Sequence, residues 1–99
     1  MYKISDFSKI TSLPVKTLRY YDEEQLLTPA WRDTETAYRY YSEEDFRKAQ
    51  LIVLLRSLDF SISEIRDVLE HCGDPADLPC YLKEKREMIE ERIRREKAL

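Results

Sequence analysis

Cationic and aromatic side chains occur together in two short segments of the first half of the chain. The first segment contains Lys16, Thr17, Arg19 and Tyr20, and the second is the run Tyr38-Arg39-Tyr40-Tyr41. Lysine and arginine neutralise phosphates, and tyrosine hydroxyls can donate hydrogen bonds to phosphate oxygens. Because side chains of these types at two separated points suit a nucleic-acid backbone, the spacing predicts a DNA-binding surface.

The chain offers little for catalysis or cofactor binding. His71 is the only histidine and Gly73 the only glycine, so there is neither a nucleophile–base arrangement nor a glycine-rich phosphate loop. We therefore predict that the chain is not an enzyme, and we assign it no cofactor.

The two cysteines, Cys72 and Cys80, allow more than one interpretation. They are too few for a disulfide framework, and no CxxC pair is present. His71 could join Cys72 in a metal site, but neighbouring side chains on a helix point apart. We predict no metal site and favour structural or incidental cysteines, with metal or redox sensing as the open alternative.

The charge of the chain bears on its partners. A net charge of −3 argues against DNA binding on composition alone, but binding needs only a local basic face. Residues 1–40 carry six Lys or Arg against six Asp or Glu, whereas residues 41–80 carry four against nine. Because the acidic excess lies away from the cationic segments, DNA binding is the leading hypothesis. A protein–protein interaction module that does not bind DNA is the alternative.

The length and hydropathy of the chain limit its class. With 99 residues it can hold one small domain and an appendage. No apolar run is long enough to span a membrane, and the N-terminus lacks the apolar segment of a signal peptide. We therefore expect a cytoplasmic protein with no membrane partner.

Two short helices are predicted to carry the first cationic segment. One spans residues 4–11 with Ser5 as its N-cap, and the other runs from about residue 15 to residue 25, after Pro14. So brief a connection is typical of a helix-turn-helix. The apolar face of the first helix is predicted to comprise Ile4, Phe7 and Ile10.

The helical period decides which side chains of the second helix face outward. Steps of about 100° per residue place Lys16, Arg19, Tyr20 and Glu23 on one face. Leu18, Tyr21 and Asp22 lie roughly opposite, so Tyr21 is expected to pack its ring inward. An ordinary solvated face is the alternative for a Lys–Arg pair. A tyrosine exposed beside both cations favours a binding surface.

Residues 30–41 predict a small β-hairpin, or wing. Residues 33–36 favour a turn, and Tyr38-Arg39-Tyr40-Tyr41 favour a strand. Alternation along that strand places Tyr38 and Tyr40 on one face and Arg39 and Tyr41 on the other. One pair is expected to face the core and the other a partner.

Two further helices are predicted from their first residues. Ser42 opens a capping box for a third helix over residues 43–58, and Ser61 with Glu64 repeats the pattern for a fourth helix that ends at Gly73. The third helix is predicted to be buried on most sides. Its core residues are predicted to be Phe46, Ala49, Ile52 and Val53.

From about Leu78 the chain is predicted to form a charged amphipathic helix, after a linker at residues 74–79. A lone amphipathic helix that is too polar for a core requires a partner helix, and a second copy of the chain is the simplest choice. A helix folded back on its own domain is the alternative. The apolar stripe of this helix consists of Leu78, Leu82, Ile89 and Ile93.

The order and spacing of these motifs resemble the N-terminal part of a MerR-family transcription regulator. The resemblance implies a mainly α fold, a winged helix-turn-helix of four short helices and a small β-hairpin wing, followed by a C-terminal dimerisation helix. It implies a DNA-binding domain at 1–73, a linker at 74–79 and the start of an antiparallel coiled coil at 80–99. The residues that carry it are Ile4-Ser5-Asp6-Phe7, Val15-Lys16-Thr17-Leu18-Arg19-Tyr20-Tyr21-Asp22, Leu26-Leu27 with Pro29, Tyr38-Arg39-Tyr40-Tyr41 and Phe60-Ser61-Ile62-Ser63-Glu64-Ile65.

The resemblance also implies a function. Members of the family bind promoter DNA as homodimers and distort and untwist it for RNA polymerase, so part of their specificity is the energy of deforming the duplex. In this chain, Lys16 and Thr17 match positions that face the major groove, and Arg19 and Tyr20 match contacts to backbone and base edges. Tyr38, Arg39 and Tyr40 match the positions in the wing that contact flanking phosphates, and Arg32 is a weaker match. Dimerisation is assigned to Leu78, Leu82, Ile89 and Ile93.

Three positions depart from the family pattern. Ser12, Gln25 and Ala37 stand where the family usually has glycine. Glycine adopts a positive φ at low cost. The turns at Gln25 and Ala37 must therefore either tolerate that conformation in a residue with a Cβ or use a different geometry.

The end of the chain bears on the sensing function. Leu99 lies partway along the expected dimerisation helix, and the wing resembles the branch of the family that carries a downstream drug- or small-molecule-binding domain. We therefore expect the chain to be part of a longer protein, with the effector domain beyond Leu99.

Overall fold

The computed structural model describes residues 1–72 and 77–97, without the side chain of Leu78. Gly73, the predicted end of the fourth helix, and residues 74–76 of the predicted linker lie outside the described residues. Helices dominate, which confirms the predicted mainly α winged helix-turn-helix with a C-terminal helix. The elements are β1 (Tyr2–Lys3), α1 (Ile4–Thr11), α2 (Val15–Glu23), β2 (Trp31–Arg32), β3 (Arg39–Tyr41), α3 (Glu43–Ser57), α4 (Ile62–His71) and α5 (Leu78–Lys97).

The wing is a three-stranded antiparallel sheet in the order β1-β3-β2. The sequence predicted only the hairpin of β2 and β3, and that prediction was incomplete. Tyr2 pairs with Tyr41 and Lys3 with Tyr40, so the N-terminus adds a strand beside β3. A strand of two residues has no periodicity that a sequence could display, and only its pairing with β3 defines it.

The first two helices form the predicted helix-turn-helix, with corrections at their ends. Ser5 is not the N-cap of α1: that position is Lys3, which makes no side-chain cap. Ile10, which was assigned to the apolar face of α1, is 43% exposed. Helix α2 ends at Glu23, two residues early, because Gln25 has φ 56° and leaves the helical region.

The three positions that lack the family's glycine all adopt a left-handed backbone. Ser12 and Ala37 have φ 61°, Gln25 has φ 56°, and Asp59 joins them with φ 65°. A residue with a Cβ pays a steric cost in this region that glycine does not. The turns therefore keep the geometry that glycine would permit, and the chain tolerates the strain.

The two capping boxes are confirmed, but the assignment of Val53 to the core of α3 is wrong. Ser42 with Asp45 and Ser61 with Glu64 each exchange the two hydrogen bonds of a capping box. Val53 is 42% exposed. Leu51 and Leu55, which lie one helical turn from each other, are buried instead. The run of residues 51–55 is apolar all round, so its helical phase could not be assigned from the pattern. Ala49 and Ile52 are buried as predicted, and Phe46 is partly buried against them.

Helix α5 packs on the rest of the chain through a face that the sequence analysis did not select. Tyr81 is buried, Met88 packs against the core, and the Lys85 ammonium lies over the Phe60 ring, 4.8 Å from its centroid. The predicted stripe points elsewhere, and its members Leu82, Ile89 and Ile93 are 53%, 44% and 44% exposed. The side chain of Leu78 lies outside the described residues. Within the described chain, no helix is long and apolar enough to cross a membrane.

Candidate nucleic-acid interface

The outer face of α2 presents the residues that the sequence analysis selected. Lys16, Arg19 and Tyr20 are exposed, Thr17 is half-buried, and Tyr21 is buried as predicted. Within the described part of the chain, neither Lys16 nor Arg19 has an ion-pair partner. Two cations on one helical face are therefore available to an anionic ligand.

Arg19 also belongs to a cleft between α2, the wing and the start of α1. This cleft has a volume of about 300 Å³. Three of its residues, Arg19, Tyr38 and Arg39, were predicted to bind DNA. The sequence analysis did not assign Lys3 and Ser5 to this surface, because they lie beside the wing only when β1 pairs with β3. The side chains of the cleft that can contact an anion are Lys3, Ser5, Arg19, Tyr38 and Arg39.

The first turn of α1 adds to the electrostatic character of this cleft. Its N-cap residue, Lys3, makes no side-chain hydrogen bond to the backbone N–H groups of that turn. Uncapped N–H groups at a helix N-terminus, with the positive end of the helix dipole, attract anions. Ile4 and Ser5 of that turn line the cleft beside its cationic side chains, and the same turn carries the acidic Asp6.

The wing arginines are held by a carboxylate on α2. Asp22 Oδ2 accepts a hydrogen bond from Arg39 Nε at 2.9 Å and another from an Nη nitrogen of Arg32 at 2.5 Å. The Asp22 side chain is only 9% exposed, whereas Arg32 keeps half of its side chain in solvent. Arg32 and Arg39, both selected from the sequence, are thus joined by a residue that the sequence analysis had assigned no role.

The tyrosines of the wing divide between surface and core. Tyr38 is exposed, and Tyr40 is half-buried with its ring 5.0 Å from that of Trp31. Tyr41 is fully buried, and burial, followed by the nearby Asp22 carboxylate, raises the pKa of its hydroxyl to about 12. Tyr38 and Tyr40 therefore remain accessible to a ligand, and Tyr41 is a neutral core residue.

A covalent bond links the end of α4 to the start of α5. Cys72 and Cys80 form a disulfide with their Cα atoms 6.0 Å apart, a pairing that the sequence analysis did not predict. Tyr81 is buried beside it and lines, with Cys72 and Leu69, a cavity of about 360 Å³. The charged residues Glu44, Arg47 and Lys48 line the same cavity. Among the described residues, no group of three or more His, Cys, Asp or Glu side chains could hold a metal ion.

His71 is exposed next to this disulfide. Its Nδ1 lies 2.7 Å from the backbone carbonyl oxygen of Asp67. That hydrogen bond, with the Glu84 carboxylate as the next cause, raises the pKa of the imidazole above its usual value. The histidine thus interacts with its own helix and with the Glu84 carboxylate of α5.

Comparison with known proteins places this geometry among regulatory proteins. Two family profiles match, "MerR HTH family regulatory protein" over residues 2–72 and "MerR, DNA binding" over residues 46–99. The HTH-type transcriptional regulator ZntR of Escherichia coli (strain K12) is 32% identical over 93 residues, which are 94% of this chain and 64% of that protein.

Two solved structures share the fold. MtaN, the N-terminus of the Bacillus subtilis multidrug transporter activator, matches 99% of this chain and 91% of its own with a TM-score of 0.72 at 24% identity. EcmrR, from the cryo-EM structure of the EcmrR–DNA complex in EcmrR-RPo, matches 94% of this chain with a TM-score of 0.69 at 34% identity. The present chain spans 64% of the length of ZntR and 33% of that of the EcmrR chain.

Proposed function

This chain belongs to the MerR family of helix-turn-helix regulatory proteins, and on that premise we propose that it binds double-stranded promoter DNA as a homodimer and distorts it to control transcription. The family consists of transcription regulators, in agreement with the prediction that the chain is not an enzyme. RNA polymerase at the promoter is the further partner, and the cytoplasm is the compartment in which such a complex forms.

One observation carries the proposal: the cations of α2 and of the wing converge on one side of the molecule. Arg19 on α2, Arg39 on β3 and Lys3 at the start of α1 line a single cleft. The net charge of the whole chain is −3, so this local concentration of cations is what supports an anionic ligand.

We assign the roles of the side chains from the resemblance to the family. Lys16 and Thr17, in the first turn of α2, enter the major groove, and Arg19 and Tyr20 contact backbone and base edges. The wing contacts flanking phosphates through Tyr38, Arg39 and Tyr40. Arg32, in the first wing strand, is a weaker assignment from the same resemblance.

The exposed stripe of α5 supports the homodimer. Leu82, Ile89 and Ile93 remain largely in solvent on a helix of 20 residues whose other face packs on its own domain. Pairing with the same helix of a second copy, antiparallel, would bury these side chains. Leu78 is assigned to the same stripe by its spacing.

Affinity measurements on charge variants test the DNA surface. We expect Arg19→Ala to weaken binding to a duplex that the protein itself selects from a random pool by about 1–3 kcal/mol. Arg39→Ala should weaken binding to all duplexes and flatten the salt dependence, because it removes a phosphate contact. Arg86→Ala is the control, since Arg86 is an exposed cation on α5. Wild-type affinity in both Arg19→Ala and Arg39→Ala, read by fluorescence anisotropy, would exclude this surface.

Sedimentation separates a DNA-binding regulator from an interaction module that does not bind DNA. We expect a dimer whose complex with random duplex dissociates steeply between low and moderate salt, because phosphate contacts release counterions. A dimer that ignores DNA even at low salt would favour the interaction module.

A second candidate function, redox sensing, is favoured by the disulfide between Cys72 and Cys80. Cytosolic disulfides are uncommon and are usually transient and catalytic or redox-sensing. In the reduced chain, exchange with a small-molecule disulfide would form the Cys72–Cys80 bond and release two small-molecule thiols, which take up the two electrons and two protons that the cysteines lose. The bond would then restrain α5 against the DNA-binding part.

Thiol titration with and without reductant tests this candidate. We expect two titratable thiols only after reduction, together with a DNA affinity that changes with the redox state of the wild type and not of the Cys72→Ser/Cys80→Ser variant. An affinity that is the same in both states would leave the disulfide a structural one. Protection of the reduced thiols by Zn²⁺ or Hg²⁺ would indicate metal sensing instead.

A further inference from the structure

The two wing arginines face each other across neighbouring strands. Arg32 on β2 and Arg39 on β3 are directly paired in the antiparallel register. Like charges at such a position repel each other and destabilise the pairing of the strands. The wing therefore requires a nearby anion if both cations are to be kept.

Asp22 supplies that anion, and it comes from α2 rather than from the wing. A single oxygen, Oδ2, accepts hydrogen bonds from both Arg32 and Arg39. Asp22 lies in the last turn of α2, the helix that presents Lys16 and Arg19. Charge-assisted hydrogen bonds of this kind are short and directional, so they fix the position of the wing relative to the outer face of α2.

The contact also orients the Arg39 guanidinium. Arg39 uses Nε toward Asp22, and its two terminal nitrogens have no hydrogen-bond partner among the residues that the structure describes. Arginine binds phosphate through such a pair of donors, and holding the fork in place before the ligand arrives lowers the entropy lost on binding.

We propose that Asp22 is a positioning residue for DNA binding, which holds the wing arginines at a fixed place beside α2 so that both regions engage one duplex. This inference rests on the proposed function. It assigns a favourable role to a largely buried negative charge that adjoins the proposed DNA-binding surface through Arg39.

Two effects of Asp22 have opposite signs, and this makes the proposal testable. As a charge near phosphates, Asp22 repels DNA, so its neutralisation alone would tighten binding. As a positioning residue it promotes binding, so its neutralisation would weaken it. Glu23→Gln is the matched control, because Glu23 is the next residue on α2, is exposed, and within the described chain has no ion-pair partner.

The experiment compares Asp22→Asn with Glu23→Gln on two duplexes, one selected by the wild type from a random pool and one of scrambled sequence. We expect Asp22→Asn to weaken binding to both duplexes, by about tenfold or more, because the wing arginines that it holds contact phosphates. Glu23→Gln should bind both duplexes as tightly as the wild type or more tightly. Tightening by Asp22→Asn that equals that of Glu23→Gln would overturn the proposal.

A coupled variant separates positioning from loss of folding. In an Arg32→Gln/Arg39→Gln background, Asp22 has no wing cation to hold, so adding Asp22→Asn should cause no further loss of affinity. The same tenfold loss in that background would overturn the proposal, because Asp22 would then act by another route. If the wild type itself binds neither duplex, the proposed function is wrong. That outcome differs from tighter DNA binding by Asp22→Asn, which overturns only the role assigned to Asp22.

Discussion

Tyr41 on β3 stacks on Phe7 of α1, with ring centroids 4.3 Å apart and planes inclined by 8°. Both rings are fully buried, so this stack joins the wing to the helix-turn-helix. The Tyr41 hydroxyl is also buried, and in the described part of the chain it has no hydrogen-bond partner. The wing is thus attached to the domain by ring packing and not by the polar end of the tyrosine.

Tyr41→Phe should therefore not destabilise the protein. It removes a buried hydroxyl that lacks a partner, so we expect the free energy of unfolding to stay the same or rise by about 1 kcal/mol. Tyr41→Ala, which also removes the ring, should cost about 3–5 kcal/mol. Urea denaturation followed by circular dichroism measures both. A loss of more than about 1 kcal/mol in Tyr41→Phe would mean that the hydroxyl makes a stabilising hydrogen bond.

Replacing strained residues by glycine should stabilise the chain. Gln25 and Ala37 have positive φ, and glycine relieves a steric cost of about 1 kcal/mol at such a position, less the entropy that it adds to the unfolded state. We expect Ala37→Gly and Gln25→Gly each to raise the melting temperature. Ala30→Gly is the control, because Ala30 is exposed and is not among the residues with positive φ. An equal shift in all three variants would exclude relief of backbone strain as the cause.

The capping box of α4 should make stability depend on pH. The hydrogen bond from the Ser61 backbone N–H lowers the pKa of Glu64 below its usual 4.5 in the folded state. A carboxyl with a lowered folded pKa stabilises the protein above its unfolded pKa, and this contribution is lost as the pH falls through the folded value. We expect the wild type to be more stable than Glu64→Gln at neutral pH by less than about 1 kcal/mol, with the difference vanishing in acid.

Glu35→Gln is the control for that pH dependence. Glu35 is exposed in the wing turn, and the described residues include no ion pair with it. Its substitution should leave the acid limb of the stability profile unchanged. A profile for Glu64→Gln that runs parallel to the wild type at every pH would contradict the role assigned to the Glu64 charge.

The two faces of α5 should respond differently to substitution. Ile89→Glu places a charge on the exposed stripe, so we expect sedimentation to show a monomer with an unchanged circular dichroism spectrum. Tyr81→Ala removes a buried ring at the junction with α4, so it should lower the melting temperature. A dimer that persists in Ile89→Glu would show that the stripe is not the interface.

Features that depend on neighbouring residues were predictable from the sequence. The capping boxes at Ser42 and Ser61 follow from spacings of three residues, and the outward Tyr20 and inward Tyr21 follow from the helical period. The departures from glycine at Gln25 and Ala37 marked the turns where φ is positive. Each of these features is decided within one or two turns of backbone, where sequence distance and spatial distance agree.

Features that depend on distant residues were decided only by the tertiary structure. Strand β1 exists because Tyr2 and Lys3 pair with a strand almost 40 residues away, and this pairing is what adds Lys3 to the candidate interface. Asp22 acquires its role from arginines 10 and 17 residues along the chain. The burial of Leu51 and Leu55 in place of Val53 likewise depended on which side of an all-apolar run the other elements cover. Local spacing thus determined where the helices and the β2–β3 hairpin form and which cations α2 exposes. Chain folding decided where β1 forms and which side chains share a site, because these contacts join residues that no local periodicity relates.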